Sequence, residues 1–440
     1  MSAADVAFAR ALQHWQAESL QEAHAACLEA IGHDEGHIGA AVLASEILLR
    51  VGEPKPAVAL LSRVVRRTPG EGAARVLLAR AQRIAGEFAA AERSAAMARH
   101  LSPGGGEAAG EHALALIALG WEREATVALE QAAAAAGDDA RAHWVVADSL
   151  LRLGPGTDGA DGDRLAGARA AFARAVALDP AAATWHATEA SRCAAAGRRD
   201  EATGLIARGL ELMPEDPELG HMAAAAEGRS PDRAPGAYIA AHFDAFADSF
   251  DDVLVGRLGY RLPDLICAAL ERLVAGPRLD VLDAGCGTGL CAARLRPLAR
   301  RLVAVDLSAR MVARARELGL YDELVVEDLL AWLARDAQAN AFDAIVAADV
   351  LVYFGDLRPP LDAAARALRP AGLLVFSTER GEHGGFSLEA SGRFSHDPRY
   401  VAAVAAERGL EQLECSEVSY RVEGGEPVAS TLVCLRLIVS

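Results

Sequence analysis

Residues Leu279–Leu290, LDVLDAGCGTGL, join a short apolar run to three alternate glycines, Gly285, Gly287 and Gly289. An apolar strand that breaks into such a turn and then an alanine-rich helix, here beginning near Thr288, is the geometry of a nucleotide-type site at the carboxyl end of a strand. Without Cβ atoms the turn can approach a ligand closely and take dihedrals that other residues resist. The dinucleotide pattern G-x-G-x-x-G would put its third glycine at 290, where the chain has Leu290, and it needs no acid two residues before the first glycine, where the chain has Asp283. Three further acids come after it in order. RLVAVD ends at Asp306, 17 residues past Gly289, which suits a carboxylate accepting both ribose hydroxyls. DELVVEDLLAWL ends its strand at Glu327 and Asp328, and FDAIVAADVLVYF supplies Asp349. Each acid taken singly is equally a helix N-cap or a solvated strand end; four in this order favour one site.

The string D-x-G-x-G-x-G at Asp283–Gly289 resembles the first motif of class I methyltransferases. That resemblance implies S-adenosylmethionine as cofactor, with Asp283 near the ammonium end of its methionine moiety and Gly285, Gly287 and Gly289 accommodating an uncharged thioether-linked chain in place of a pyrophosphate. It also implies that Asp306 holds the ribose, that Leu307 beside it is cofactor-binding, and that Asp328, in preference to Glu327, meets the adenine amino group. Leu329 completes the adenine slot, and Asp349 with Val350–Tyr353 flanks the methyl group and faces substrate. The likeness runs further. Repeats followed by FDAFADSFDDVLVGRLGYRLP, ADVLVYFGDL, SGRFSHDPRYV and EGGEPV are similar to a bacterial family of predicted methyltransferases carrying tetratricopeptide repeats, most specifically over residues 237–430. The family implies fold and cofactor but no particular acceptor. Two other readings are a repeat scaffold with a cofactor-binding but inactive domain, and an NAD(P)-dependent oxidoreductase.

Methyl transfer is an in-line displacement that needs alignment of acceptor, methyl and sulfur and exclusion of water. An alcohol, thiol, amide or cationic amine must also lose a proton to a base within about 3 Å. Candidates are His396, Tyr353, Tyr260, Glu379 and His383. His396 has the most suitable unperturbed pKa, although its place before Asp397 and Pro398 equally suits capping or packing. Tyr260 with Arg261, and separately Arg393, are candidates to hold a carboxylate or phosphate on the acceptor.

Alternating strands and helices must position these groups. After the four strands already named, ALRPAGLLVFSTE predicts a fifth ending near Glu379, followed by a helix from about Pro398 to Arg408. LEQLECSEVSYR and ASTLVCLRLIV then come with no helix between them, which predicts a terminal antiparallel hairpin. Ahead of the first strand, a helix over 237–255 carries Phe243, Phe246, Phe250 and Leu254 as one apolar stripe. It either covers the cofactor as a lid or packs onto the core. The polar string EGRSPDRAPG, with two prolines and two glycines, marks 226–236 as a linker.

Residues 1–225 repeat. Gly52, Gly86, Gly120 and Gly154 are 34 apart, as are Ala23, Ala57, Ala91 and Ala125, and Pro69 and Pro103 share the register. An insertion over 155–163 shifts the register, which resumes with Ala168, Pro180, Gly197, Ala202 and Pro214. A helix, short turn and helix per unit, with alanine, a later apolar residue and a closing proline, resembles the tetratricopeptide repeat. Ala168, Phe172, Ala175 and Pro180 fit best, and His186 stands where an early aromatic is expected. About six degenerate units must stack, since none buries its apolar face alone, into a right-handed solenoid whose groove takes a protein or peptide. The expected architecture is thus an all-α tetratricopeptide solenoid over 1–225, then an α/β Rossmann-like class I methyltransferase domain over 237–440.

With 44 basic and 61 acidic side chains in 440 residues the net charge is −17, which repels phosphate backbones, so no nucleic-acid partner is expected. No signal-peptide pattern or membrane-length apolar run is present, so a cytoplasmic location and no membrane partner are expected. Seven scattered cysteines lack paired ligand spacing; no metal site is expected.

Overall fold

The computed structural model describes residues 2–17, 19–102, 106–153, 161–195, 197–248, 250–251, 254, 260–274, 278–382, 384–423 and 426–438. It divides into two compact units, residues 1–219 and 220–440.

The first unit is helical. Six helix pairs succeed one another among the described residues: α1 (Ala3–Gln16) and α2 (Leu20–His33), α3 (Ile38–Arg50) and α4 (Pro54–Arg67), α5 (Gly72–Ile84) and α6 (Phe88–Leu101), α7 (Gly106–Ala118) and α8 (Glu122–Ala135), α9 (Ala140–Arg152) and α10 (Asp161–Leu178), α11 (Trp185–Ala195) and α12 (Arg199–Leu212). Gly52, Gly86, Gly120 and Gly197 end first helices in the left-handed region, at φ of 80°, 81°, 74° and 74°. Ala23, Ala57, Ala91 and Ala125 are fully buried where each second helix packs closely. The first helices α3, α5, α7 and α9 pack against one another in succession and form one layer. His186 is buried, accepting from Trp144 Nε1 at 3.0 Å, so an imidazole fills the aromatic position. Most of the 155–163 insertion lies outside the described residues, and its last three residues begin α10.

The second unit is an α/β fold. Its strands are β1 (Leu279–Ala284), β2 (Ala299–Asp306), β3 (Glu323–Val326), β4 (Phe342–Ala347), β5 (Leu368–Arg380), β6 (Phe386–Leu388), β7 (Phe394–His396), β8 (Leu410–Val418), β9 (Val422–Glu423), β10 (Glu426–Pro427) and β11 (Ser430–Leu437). The sheet runs β3-β2-β1-β4-β5-β11-β8. β1 to β5 pair in parallel, and β11 inserts antiparallel between β5 and β8, giving the expected terminal hairpin. Alternate strand residues feed two cores, Leu282, Val303 and Ile345 on one face and Val281, Leu302 and Val346 on the other. Chain order reverses between β1 and β4, so the crevice beyond their carboxyl ends is where such a sheet binds ligands. Among the described residues no helix is long and apolar enough to cross a membrane.

Three expectations change. The division between units falls between Leu219 and Gly220, inside the helix α13 (Pro217–Ala226), and residues expected as a free linker belong to the α/β unit. Their main-chain groups are paired: Ala234 donates to Tyr353 O at 2.9 Å, Gly355 donates to Asp232 O at 2.8 Å, and Ala234 is fully buried. The helix expected from Thr288 is only the short α16 (Ala292–Leu295), because the turn continues through Cys291. The expected lid helix ends early, as α14 (Gly236–Phe246); positions 249, 252–253 and 255 lie outside the described residues.

Candidate cofactor and active site

One cavity of about 1250 Å³, counting its open mouth, lies in the crevice at the carboxyl ends of β1, β2 and β4. Its floor is the glycine turn. Gly287 donates its N–H to Asp306 Oδ2 at 2.8 Å, and a Cβ on it would meet nothing closer than the Phe250 ring at 3.8 Å, so this main chain stays open to a ligand. Gly285 also lines the cavity, and a Cβ there would lie 2.4 Å from Val350 Cγ2. Gly289 does not line it. Its φ is 92°, and a Cβ would fall 2.7 Å from Leu318 Cδ1, so packing explains this glycine and the expected contact with cofactor is withdrawn.

The four acids of the sequence pattern all reach the cavity, as do Leu307 and Leu329. Asp283, at the end of β1, is buried and accepts the Tyr321 hydroxyl at 2.6 Å. Burial raises its pKa to about 7; the tyrosine bond opposes the rise and Asp306 adds to it. Asp306 is raised by burial too, against the pull of its bonds from Ser308, Gly287 and Leu307 main chain. Neither carboxylate has an ion-pair partner among the described residues. Asp328 caps α18 (Leu329–Leu333), accepting from Leu330 and Ala331 at 3.1 Å, and its second oxygen takes Arg233 Nη2 at 2.6 Å. Asp349, in left-handed backbone at φ 60°, accepts Tyr420 Oη at 2.6 Å and Arg421 Nη1 at 2.9 and 3.0 Å.

The opposite wall comes from α14 and the chain just beyond its end. Phe243, Phe246, Phe250 and Leu254 all face the cavity, in edge-to-face chains such as Phe246 on Phe250 at 5.4 Å. No residue of α14 is fully buried, so the aromatic stripe faces the site and not a sealed core. Tyr353 and Tyr260 line the same cavity, with Tyr260 packed edge-on to Tyr420 at 5.8 Å. Burial raises both hydroxyls above the ordinary tyrosine range, and for Tyr260 the Asp349 charge adds to the rise.

His396 is elsewhere. It is the last residue of β7, fully buried, with Nε2–H shared between Phe354 O at 2.8 Å and Gly355 O at 3.1 Å, and it does not line the cavity. Burial pushes it down to about 4. The segment expected as a helix approach is a strand, which turns this side chain into the core and removes it as a base. Glu379 and Arg261 also lie off the cavity lining, whereas Arg393 is on it; His383 lies outside the described residues.

Arg233 and His242 are among the cavity residues that escaped the sequence reading. Arg233 sits in the polar string taken as linker and had no signal, because its partner Asp328 is 95 residues away. His242, on α14, lines the cavity while remaining exposed to solvent, and makes no hydrogen bond with any described residue. Its signal was present, since 242 precedes Phe246 by four and Phe250 by eight, along the same stripe. Burial, then the nearby Arg393 charge, holds it below the usual histidine range.

Residues 282–376 match the sequence model of a family described as "Methyltransferase domain". The chain is similar to the ubiquinone biosynthesis O-methyltransferase of Xanthomonas oryzae pv. oryzae, at 35% identity over 136 residues, 29% of this chain and 53% of that protein. It is also similar to the malonyl-[acyl-carrier protein] O-methyltransferase of Yersinia pestis, at 32% identity over 142 residues, 32% of this chain and 49% of that protein. The chain thus spans about half the length of these curated relatives. A solved magnesium protoporphyrin IX methyltransferase from Synechocystis PCC 6803 with bound SAH covers 46% of this chain and 98% of its own, at 18% identity and a TM-score of 0.37. Within the α/β unit, residues 282–376 are thus similar to a methyltransferase domain.

Proposed function

We propose that the protein is an S-adenosylmethionine-dependent methyltransferase whose helical pairs act as tetratricopeptide-like units that recruit a protein or peptide partner. The observation that carries the enzymatic reading is the pair of carboxylates, the buried Asp283 and the partly buried Asp306, facing a glycine turn with no ion-pair partner among the described residues. A pyrophosphate would be repelled there, while a ligand bearing ammonium and sulfonium charges supplies the missing cations. The four-residue α16 behind the turn offers no regular helix end for phosphate, which also speaks against a dinucleotide.

In this reading the Gly287 main chain and Asp283 hold the amino-acid end, and Asp306 holds the ribose. Asp328, kept in place by its α18 cap and by Arg233, borders the base. When bound, the cofactor supplies an electrophilic methyl group. Phe243, Phe246 and Phe250 exclude water from the charged site. His242, neutral and without a hydrogen-bond partner among the described residues, takes the proton of an acceptor hydroxyl or thiol on one imidazole nitrogen and releases it to solvent.

Titration calorimetry of the full chain with S-adenosylhomocysteine and, separately, NADH tests the cofactor. Binding of the first alone is expected, and binding of NADH alone overturns the reading. Incubation with methyl-labelled cofactor and cell lysate then tests transfer. Label retained above a size cutoff supports a recruited protein acceptor, label only in the filtrate refutes recruitment of the acceptor, and no label transferred leaves a cofactor-binding scaffold.

A further inference from the structure

The helical unit holds 21 basic and 30 acidic side chains across residues 1–219, yet one groove within it reverses that balance. The groove is lined by the first helices α3, α5, α7, α9 and α11 and by the start of α12. Seven arginines and no lysine face it, against five carboxylates. Burial would raise Glu111, but Arg83 and Arg80 outweigh it and hold it at about 2, and Asp148 is likewise held below the usual carboxylate range by Arg152. Seven guanidinium groups against five carboxylates leave the groove with a positive excess.

Its centre is Arg141. The guanidinium lies 4.3 Å from the Trp144 ring centroid and 5.3 Å from that of Trp185, and its nearest carboxylate, Glu189, is 4.0 Å away. Burial lowers its affinity for a proton; Glu189 opposes this, and the nearby charges of Arg80 and Arg192 add to it. Arg198 shares the groove, and its Nε is buried without a hydrogen-bond partner among the described residues. Concave surfaces of one sign focus field lines, and arginine forks match carboxylates in pairs.

The geometry points to this groove as the binding site for an extended acidic peptide, whose aspartate or glutamate side chains engage Arg141, Arg192 and Arg80 in place of water. The inference rests on the reading of the helical unit as a recruiting module and names the chemistry of its partner. A peptide fits better than a nucleic acid because acids prevail outside the groove, where a phosphate backbone would continue past it. Helix spacings of roughly 8–10 Å across the α3, α5, α7 and α9 layer give about 27 Å, or about eight extended residues.

The test is fluorescence anisotropy with the full chain and a labelled decapeptide of alternating Glu and Ala, read without cofactor so that failure of the methyltransferase reading leaves the result intact. Binding is expected, with affinity falling as salt rises. Charge reversal in Arg141→Glu with Arg192→Glu is expected to weaken it at least ~10-fold with an unchanged thermal melt. Should that variant fail to fold, Arg141→Lys with Arg192→Lys keeps the charge but loses the fork, with a weakening of about threefold expected, and Glu189→Gln removes a groove anion, with a strengthening of about threefold expected. No binding up to about 1 mM, affinity indifferent to these substitutions, or tighter binding of a decameric oligouridylate at the same site would each overturn the proposal.

Discussion

Buried carboxylates meet opposite surroundings in the two units. In the helical unit Asp148 accepts Arg152 Nε at 2.7 Å and Arg208 Nε at 2.6 Å, and Glu111 accepts Arg80 and Arg83 at 2.9 and 3.1 Å. In the α/β unit Asp283 is just as enclosed and Asp306 partly so, but among the described residues they receive only a tyrosine hydroxyl and main-chain N–H groups, and burial raises them both. The histidines divide the same way: His186 is bonded to Trp144, and His242 is bonded to no described residue. Where a fold needs a buried charge for its own packing it supplies the counter-charge, since an unpaired ion inside a protein costs several kcal/mol. Where the counter-charge is missing and the group faces a cavity, a ligand is the expected partner.

Removing a partner from the self-compensated side should therefore hurt the fold most. Asp148→Ala leaves Arg152, Arg208 and His186 facing one another, and a loss of about 3–5 kcal/mol in urea unfolding is expected; a loss below ~1 kcal/mol would break the comparison. Next in size, His242→Ala should lower kcat about a hundredfold, or ~2.7 kcal/mol, while the affinity for S-adenosylhomocysteine in calorimetry stays within about twofold. Equal losses in both would make His242 part of the cofactor wall and not a base.

Asp283→Asn should weaken S-adenosylhomocysteine by about thirtyfold, within the ~1.5–3 kcal/mol of a charged hydrogen bond. The same substitution tests stability with the opposite sign. Because the folded pKa of about 7 lies above the ordinary aspartate value of 3.8, folding favours the protonated form. That stability is complete below about pH 4 and is lost as pH rises through 7. The ligand-free protein should accordingly melt lower at pH 8 than at pH 5, and the asparagine variant should lack Asp283's part of that slope and be the more stable at pH 8. The smallest effect is expected for Asp306→Ala, a weakening of about tenfold, since one of its oxygens already serves the Gly287 N–H.

Much of this was legible in the chain. The glycine ladder at 52, 86, 120 and 197 announced helix ends, because no other residue enters left-handed backbone at so little cost. The order of Asp283, Asp306, Asp328 and Asp349 anticipated four acids on one cavity, because strand ends of a parallel sheet all open on one crevice. His396 shows where such reading stops. Its neighbours Asp397 and Pro398 correctly mark the start of the helix α20 (Pro398–Glu407), but nothing local records that the preceding three residues add to β5 as a strand and turn the imidazole inward. Gly289 shows a milder case, since a motif glycine kept for Leu318 looks the same in sequence as one kept for a ligand.

Local pattern determined the two kinds of unit, the run of strands and the acids at their ends, because periodicity and turn chemistry are properties of neighbouring residues. Tertiary structure alone decided which of those acids are compensated. It set Arg233 on Asp328, gathered seven arginines from successive helices into one groove, and left His242 facing the cavity in place of His396. Charge pairing depends on distances between residues tens of positions apart, and a linear string carries no record of those distances until the chain has packed.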